Sequence, residues 1–494
     1  MFALKTARRT GLRINAAALI SAIAAGLWFL QFQGKYIDDA YITLAYARTL
    51  AEHGVWGTHP SAMSNAATSP ISVILEACLI RIGWDPTWAI WLLNVATTLV
   101  LAFAINTIHK NLGNRNTTDN LLTTALIATS PLIASTLGLE TYLYGTLYTL
   151  AIACYLSGRL AGSMAIISLL PLARPDGLIP SAVMLALLLR KRPSLIKPLY
   201  LFMLIPLTWL LFSWLHLGSL LPDTLFIKQT EKSWGRFSFA NGLLAYLKVY
   251  PVAVLASLAP VGLLSIVDIR TIKKTGPTAA FLITALLPAA LVSVAYAALS
   301  VPPYHWYYGF PLFMTVLAAS VLSLSGHGWR RKLALGTHGL VVGASSVISM
   351  DSLHTRNSTP ITTNWGTVPE YRQIALDTNK ALKGKNFKLQ GELGIIQFYS
   401  QGIAINEFSD RRVITQLLAS SKSASNPRRL LLRLNFWHFT PPAAQQTDYI
   451  LSGWRSKCDN AGFEVLDQWK TYSPSNPRPN FERLWCLLKS RPVR

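Results

Sequence analysis

Apolar segments recur along this 494-residue chain with a regularity that breaks only near Met350. The first follows Lys5, Arg8, Arg9 and Arg13 and runs to about Phe32. Ten more fall near 88–108, 121–137, 142–157, 162–173, 177–190, 197–216, 245–267, 278–299, 307–325 and 332–350. Apolar runs approaching 20 residues predict membrane-spanning helices. The first run ends without a convincing small-residue cleavage site, so it reads as a helix with its N-terminus in the cytoplasm and not as a signal peptide. Residues 40–52 and Ile71–Ile82 are shorter, the second interrupted by Glu76 and Arg81, and both are read as helices lying along the membrane surface.

With that assignment the connections alternate in character. Those at His109-Lys110 to Arg115, at Arg159, at Arg190-Lys191-Arg192 with Lys197, at Arg270 with Lys273-Lys274, and at Arg330-Arg331-Lys332 are all basic, as cytoplasmic loops are. The opposite connections are Asp38–Asn65, Gly138-Leu139-Glu140, Arg174-Pro175-Asp176-Gly177, Gly218–Asn241 and Pro302 to Tyr308. These hold charged and aromatic groups at or just above membrane depth, where unpaired charge is costly and usually functional. The expected fold is therefore mainly α: a polytopic helical membrane protein of about eleven spans over residues 1–350, with its first outer loop at 33–70. Segments as short as 162–173 predict helices broken around a cavity.

Composition agrees, with 51% hydrophobic and 14% charged residues. From residue 351 to 494 the pattern changes. A helical period covers Tyr371–Leu382, and alternating apolar stretches fall near Gly394–Tyr399, Arg429–Phe436, Tyr449–Trp454, Phe463–Trp469 and Arg483–Leu488, predicting a soluble mixed α/β domain on the outer side. Its Trp and Tyr residues suit an acceptor or carbohydrate surface, although core packing is the commoner use of such rings. The formal charge of +23 reflects mostly cytoplasmic loops and implies no nucleic acid. The tail, with 20 Lys and Arg against 11 Asp and Glu, is basic where topology does not require it, which points to an anionic lipid or acceptor. Cys78 and Cys154 read as core residues. Cys458 and Cys486 are candidates for a disulfide in an oxidising compartment.

Candidate chemistry gathers in the outer connections. Asp38-Asp39 follows the first span and opens a helix; Asp39 is also an adequate N-cap, so the pair is a reaction centre or a helix start. Glu140 sits between two apolar spans and needs a cation, for which Arg174 or a divalent metal would serve. Arg174 either pairs with Asp176 or meets a lipid phosphate. Leu221-Pro222-Asp223-Thr224 is turn chemistry leading to Lys228, with Lys232 and Arg236 beyond it. Tyr304 and His305 precede Trp306, Tyr307 and Tyr308, which read as an aromatic belt, while His305 is a candidate phosphate ligand or orienter of the acids. No Gly-rich phosphate loop or zinc-spaced Cys/His cluster is present in the sequence.

Together these pieces resemble the GT-C superfamily of integral-membrane glycosyltransferases, which use polyprenyl-phosphate-linked sugars. The likeness runs from Asp38-Asp39-Ala40-Tyr41-Ile42 through Thr68-Ser69-Pro70, Gly138-Leu139-Glu140-Thr141, Arg174-Pro175-Asp176-Gly177 and Leu221-Pro222-Asp223-Thr224 to Lys228. Within that superfamily the chain looks most like the bacterial arabinofuranosyltransferases. Relatives usually carry Asn where this chain has Asp223 and Glu where it has Asp176.

The resemblance implies inverting transfer of a sugar, arabinofuranose, from a polyprenyl phosphate to a cell-envelope glycan or a surface protein such as pilin, outside the bacterial cytoplasmic membrane. One carboxylate takes the acceptor proton while lipid phosphate departs from the opposite face. Asp39 is the preferred base and Asp38 the orienter or metal ligand, with the reverse assignment open. Arg174, Lys228, His305 and Tyr304 would hold donor phosphate, and Glu140, Asp176 and Asp223 would support them. A divalent ion (Mg, Mn or Ca) on Asp38, Asp39 and Glu140 is the candidate cofactor. The rival class is a transporter or flippase for the same lipid-linked sugar, which would also need buried charge and broken helices; no inverted repeat is visible, and the charges gather on one side.

Overall fold

The computed structural model describes residues 16–228, 233–267, 276–406, 408–420, 426–441, 447–455, 457–458, 462–472 and 482–491. Lys5, Arg8, Arg9, Arg13, Lys232, Arg270, Lys273 and Lys274 lie outside them. Helix α1 (Ala16–Phe29) leads into α2 (Asp38–His53), a two-stranded hairpin of β1 (Gly57–His59) and β2 (Ala62–Met63), and α3 (Pro70–Arg81). The bundle continues with α4 (Pro86–Asn111), α5 (Thr117–Thr129), α6 (Pro131–Ala134), α7 (Thr141–Leu156), α8 (Leu160–Ala173), α9 (Leu178–Lys191) and α10 (Leu199–His216). After α11 (Asp223–Ile227) come α12 (Leu243–Val249), α13 (Pro251–Leu258), α14 (Pro277–Ala298), α15 (Gly309–Leu324) and α16 (Gly328–Thr355).

Every apolar segment of the first 350 residues is thus helical, and both surface segments are helices of their expected lengths. Among the described residues, five helical stretches are long and apolar enough to cross a membrane: Pro86–Asn111, Pro193–His216, Pro277–Ala298, His305–Leu324 and Gly328–Thr355. Two of the expected spans are broken by proline. Pro131 separates α5 from α6, and Pro251 and Pro260 divide 245–267 into α12, α13 and a 3₁₀ stretch. Local caps match the sequence: Ser69 accepts from the Ser72 amide and Asp85 from the Thr87 amide, each ahead of a proline at the first helical position.

The basic connections among the described residues meet at one end of the bundle. Asn111 bonds Ser157, the Lys191 ammonium lies over the Tyr155 ring, and Arg331 grips the buried Asp119 with two nitrogens. Asp38, Glu140, Arg174 and Lys228 lie at the other end, called here the α2 face. Cys78 is exposed on α3 beside exposed Ile74, Leu75 and Ile82, which corrects its assignment to the core; Cys154 is half-buried.

Beyond α16, residues 358–364 stay packed on the bundle. Ser135 bonds the Ile361 amide and Tyr250 the Thr362 carbonyl. Then follow α17 (Val368–Leu382), β3 (Phe387–Gln390), α18 (Gly394–Tyr399), β4 (Ala404–Ile405), α19 (Arg412–Ser420), α20 (Asn426–Asn435), β5 (Tyr449–Arg455), β6 (Phe463–Tyr472) and β7 (Glu482–Ser490). The sheet runs β4-β3-β5-β7-β6, with β3 parallel to β4 and β5, and β7 antiparallel to β5 and β6. Two of the alternating stretches, Gly394–Tyr399 and most of Arg429–Phe436, are helical: α18 is buried from Gly394 to Phe398, whereas α20 buries Leu432 and exposes Leu430, Leu431 and Leu434. Cys458 and Cys486 are joined by a disulfide.

Candidate active site

The two aspartates at the start of α2 have opposite environments. Asp38 is 4% exposed, and its oxygens accept the amides of Leu393, Gly394 and Ile395 at 2.7–2.9 Å, the first turn of α18. A side chain on Gly394 would collide with the Asp38 carbonyl oxygen, so the contact requires glycine. Asn364 accepts the Asp38 amide. Asp39, a third exposed, faces the open space with its Oδ2 3.9 Å from the Lys228 ammonium.

Glu140 opens α7, and its side chain makes no cap bond; it pairs with Arg174 instead. Arg174 closes α8 where Pro175 stops the helix, and it also reaches Asp176 (2.8 Å) and the Tyr296 hydroxyl (3.2 Å). Both expected pairings of Arg174 are therefore made at once. A side chain on Gly177 would strike the Leu170 carbonyl, so this tight helix break needs glycine too. Asp223, 1% exposed, turns away from the space: Arg411 holds it through two nitrogens (2.7 and 3.0 Å), and Ser219 donates to it. It anchors α11 and leaves Lys228, one residue past that helix, over the rings of Tyr304 and Trp306.

Two cavities meet here. The first, about 550 Å³, takes in Asp39, Glu140, Arg174, Asp176, Lys228, Tyr296, Trp306 and Tyr307. Its apolar wall reaches Leu178 and Leu299, which are 61% and 70% exposed, so it opens sideways between α9 and the end of α14. The second, about 860 Å³, lies beneath the C-terminal residues and is lined by Asp38, Asp39, Lys228, Tyr304, Asn364, Trp365, Gln390 and Glu392. Asp39, Lys228, Trp306 and Phe408 line both.

His305 does not join them. It is 0% exposed, packed against Tyr246 and Trp306, and lines neither cavity. Trp306 and Tyr307, read as belt residues, do line the first cavity. An apolar run ending in aromatic residues looks the same in sequence whether the rings meet lipid or a cavity. Glu392, Trp365, Tyr296 and Arg411 were missed, since all four lie outside the outer connections in which the candidate chemistry gathers.

The three expected metal ligands do not fit a shared ion. The Asp38 oxygens are taken by backbone amides and Glu140 is held by Arg174, so of the three only Asp39 keeps its carboxylate clear of those donors. Among the described residues no three His, Cys, Asp or Glu side chains converge as a metal site would require.

Burial raises the Asp38 carboxyl from 3.8 to about 6 against the lowering by its three amide donors, with Asp39 raising it further. Burial and then the Asp38 charge hold Glu392 well above the usual carboxylate range. A carboxyl whose folded value exceeds its unfolded one contributes stability that is present below about pH 4 and lost as pH rises through about 6. For Asp38 the difference corresponds to about 3 kcal/mol. The unfolding midpoint of wild type minus that of Asp38→Asn, measured in detergent across this range, is expected to fall as pH rises. A difference independent of pH would show that Asp38 is not the titrating group.

No family model matches the chain, and no curated protein matches it in sequence. Solved structures do match in fold. ArnT from Cupriavidus metallidurans bound to undecaprenyl phosphate superposes with a TM-score of 0.58 at 12% identity, over 95% of this chain and 97% of that one. Its apo form gives 0.57 at the same identity and coverage. Arabinofuranosyltransferase AftD from Mycobacteria gives 0.47 at 14% identity, over 95% of this chain and 39% of that one. With the helical bundle, the broken helices around an α2-face cavity and the C-terminal sheet, the chain shares the fold of ArnT along its length.

Proposed function

We propose that the chain is an inverting glycosyltransferase that moves a sugar, arabinofuranose, from a polyprenyl-phosphate donor to an acceptor glycan or surface protein outside the cytoplasmic membrane. The observation that carries this reading is the meeting of two unlike cavities at Asp39 and Lys228. The first opens sideways through apolar residues and holds Arg174, which suits a lipid phosphate arriving through the bilayer. An ArnT of the same fold holds undecaprenyl phosphate, which supports that class of donor. The arabinose reading rests on the sequence motifs.

Lys228 and Arg174 would neutralise the departing phosphate, the charge that grows in the transition state. Asp39 borders both cavities, so it can take the proton of an acceptor hydroxyl entering from the second cavity as that oxygen attacks the anomeric carbon. Asp38 acts as orienter, fixing the start of α2 to α18. Residues 351–494 form, in this reading, the domain that closes the acceptor side, with Glu392 and Trp365 in its wall.

The test is incubation of the purified protein in vesicles with a labelled polyprenyl-phosphate sugar and candidate acceptors. A new glycosidic bond with inverted configuration is expected; movement of the lipid between leaflets without transfer would favour the flippase. For orientation, an impermeant thiol reagent outside intact cells should reach a cysteine at exposed Ser61 and miss one at Lys191. The reverse pattern would turn the molecule over.

A further inference from the structure

Helix α20 has two apolar faces. Leu432 and Phe436 are buried and pack with Ile414 of α19 and with Phe226 and Ile227 of α11. The other side shows Leu430, Leu431, Leu434 and Trp437 at 59, 67, 45 and 68% exposed, with exposed Arg433 among them. Leu430 and Leu434 are one helical turn apart on the side away from Leu432, and Trp437 follows in the turn just past the helix, so together they form a continuous patch in place of scattered surface residues. A patch of that kind facing water is disfavoured and marks an interaction surface.

Where α20 sits identifies the occupant. The Trp214 ring nitrogen, in the last turn of α10, donates to the Leu434 carbonyl at 2.9 Å, and the Leu220 and Leu221 amides bond the backbone and side-chain oxygens of Asn435. α10 ends the span Pro193–His216, and its Leu207, Leu211, Phe212 and Leu215 are 40–55% exposed, the face a bilayer covers. The exposed patch of α20 therefore continues the lipid-facing side of a spanning helix at the level where that helix leaves the membrane. Leucines, a tryptophan and an arginine on such a helix are the composition of one lying in the plane of the interface.

We propose that α20 is a membrane-surface anchor, its leucines and Trp437 in the headgroup and upper acyl region of the leaflet on the α2 face and Arg433 at anionic lipid phosphates. The anchor accounts for part of the excess basic charge of residues 351–494. Through Phe436 packed on Phe226 it also ties the bilayer to α11, the helix that Asp223–Arg411 anchors and that Lys228 follows. It stands without any assignment of catalytic activity.

The test uses the full chain with Cys78→Ser and Cys154→Ser, keeping the disulfide. Single cysteines at Leu431, at Leu434 and, as control, at exposed Lys380 carry a nitroxide. In vesicles of phosphatidylcholine with phosphatidylglycerol, collision with dissolved oxygen is compared with collision with a water-soluble nickel chelate. Labels at 431 and 434 are expected to favour oxygen and the label at 380 nickel, a reversal of the ratio. The preference at 431 is expected to weaken in phosphatidylcholine alone and to become independent of lipid charge in Arg433→Gln. Nickel access at 431 equal to that at 380 overturns the proposal. So does shielding from both reagents, which would indicate a protein partner or a second copy, and so does a preference insensitive to lipid charge in the wild-type helix.

Discussion

Asp39→Asn is expected to lower turnover by roughly 10²–10⁴-fold, the usual contribution of general-base catalysis, with folding and membrane insertion unchanged. The side chain is a third exposed, borders both cavities and lies 3.9 Å from the Lys228 ammonium, so an isosteric amide removes the proton acceptor without opening a void. Asp38→Asn is expected to act differently. It replaces an oxygen that accepts backbone amides by a group that donates, so it opposes the N–H groups of α18. The consequence is weakened docking of the C-terminal residues, seen as faster proteolysis within 365–441 and a fall in activity that tracks the undocked fraction. Measuring single-turnover transfer and limited proteolysis on both variants separates the roles. Near-normal transfer in Asp39→Asn with none in a still-docked Asp38→Asn would exchange them.

The helical bundle was legible because its signals are local and strong. A run of apolar residues, a proline at a first turn and a basic loop each act within about one helix length, and the structure has a helix at every such segment. The acids at Asp38, Asp39, Glu140 and Asp176, with Arg174 and Lys228, were legible for a related reason: charge in an apolar setting is expensive and stands out. Their partners were only half legible. Glu140 with Arg174 joins two neighbouring breaks in the bundle, whereas Asp38 with the amides of 393–395 and Asp223 with Arg411 join residues roughly 190 to 360 positions apart. Nothing in composition or period encodes such a meeting. An amide cradle moreover presents no distinctive side chain, only a glycine. The metal expectation failed by the same route, since the oxygens counted as ligands were already committed to distant donors.

Arg174 provides the sharpest separation of a structural from a functional cation. It is 6% exposed and shared by Glu140, Asp176 and Tyr296, so Arg174→Ala leaves two carboxylates facing each other with little water. Losing one partner of a buried pair costs about 3–5 kcal/mol, a large part of the ordinary 5–15 kcal/mol of folding stability. The single variant is therefore expected to unfold at much lower temperature, and its loss of activity would be ambiguous. Combining it with Glu140→Gln and Asp176→Asn removes the stranded charges, and the unfolding midpoint is expected to recover most of the loss. Lys228→Ala needs no such rescue, because its ammonium is partly solvated. Loss of one charge-assisted contact of about 1.5–3 kcal/mol predicts a donor KM roughly 10- to 150-fold higher in that variant, with acceptor dependence little changed. If Arg174 holds donor phosphate as well as its two acids, the restabilised triple variant keeps the donor defect, and adding Lys228→Ala deepens it further. Recovery of donor use together with stability would make Arg174 a counter-ion alone and leave Lys228 to meet the phosphate without it.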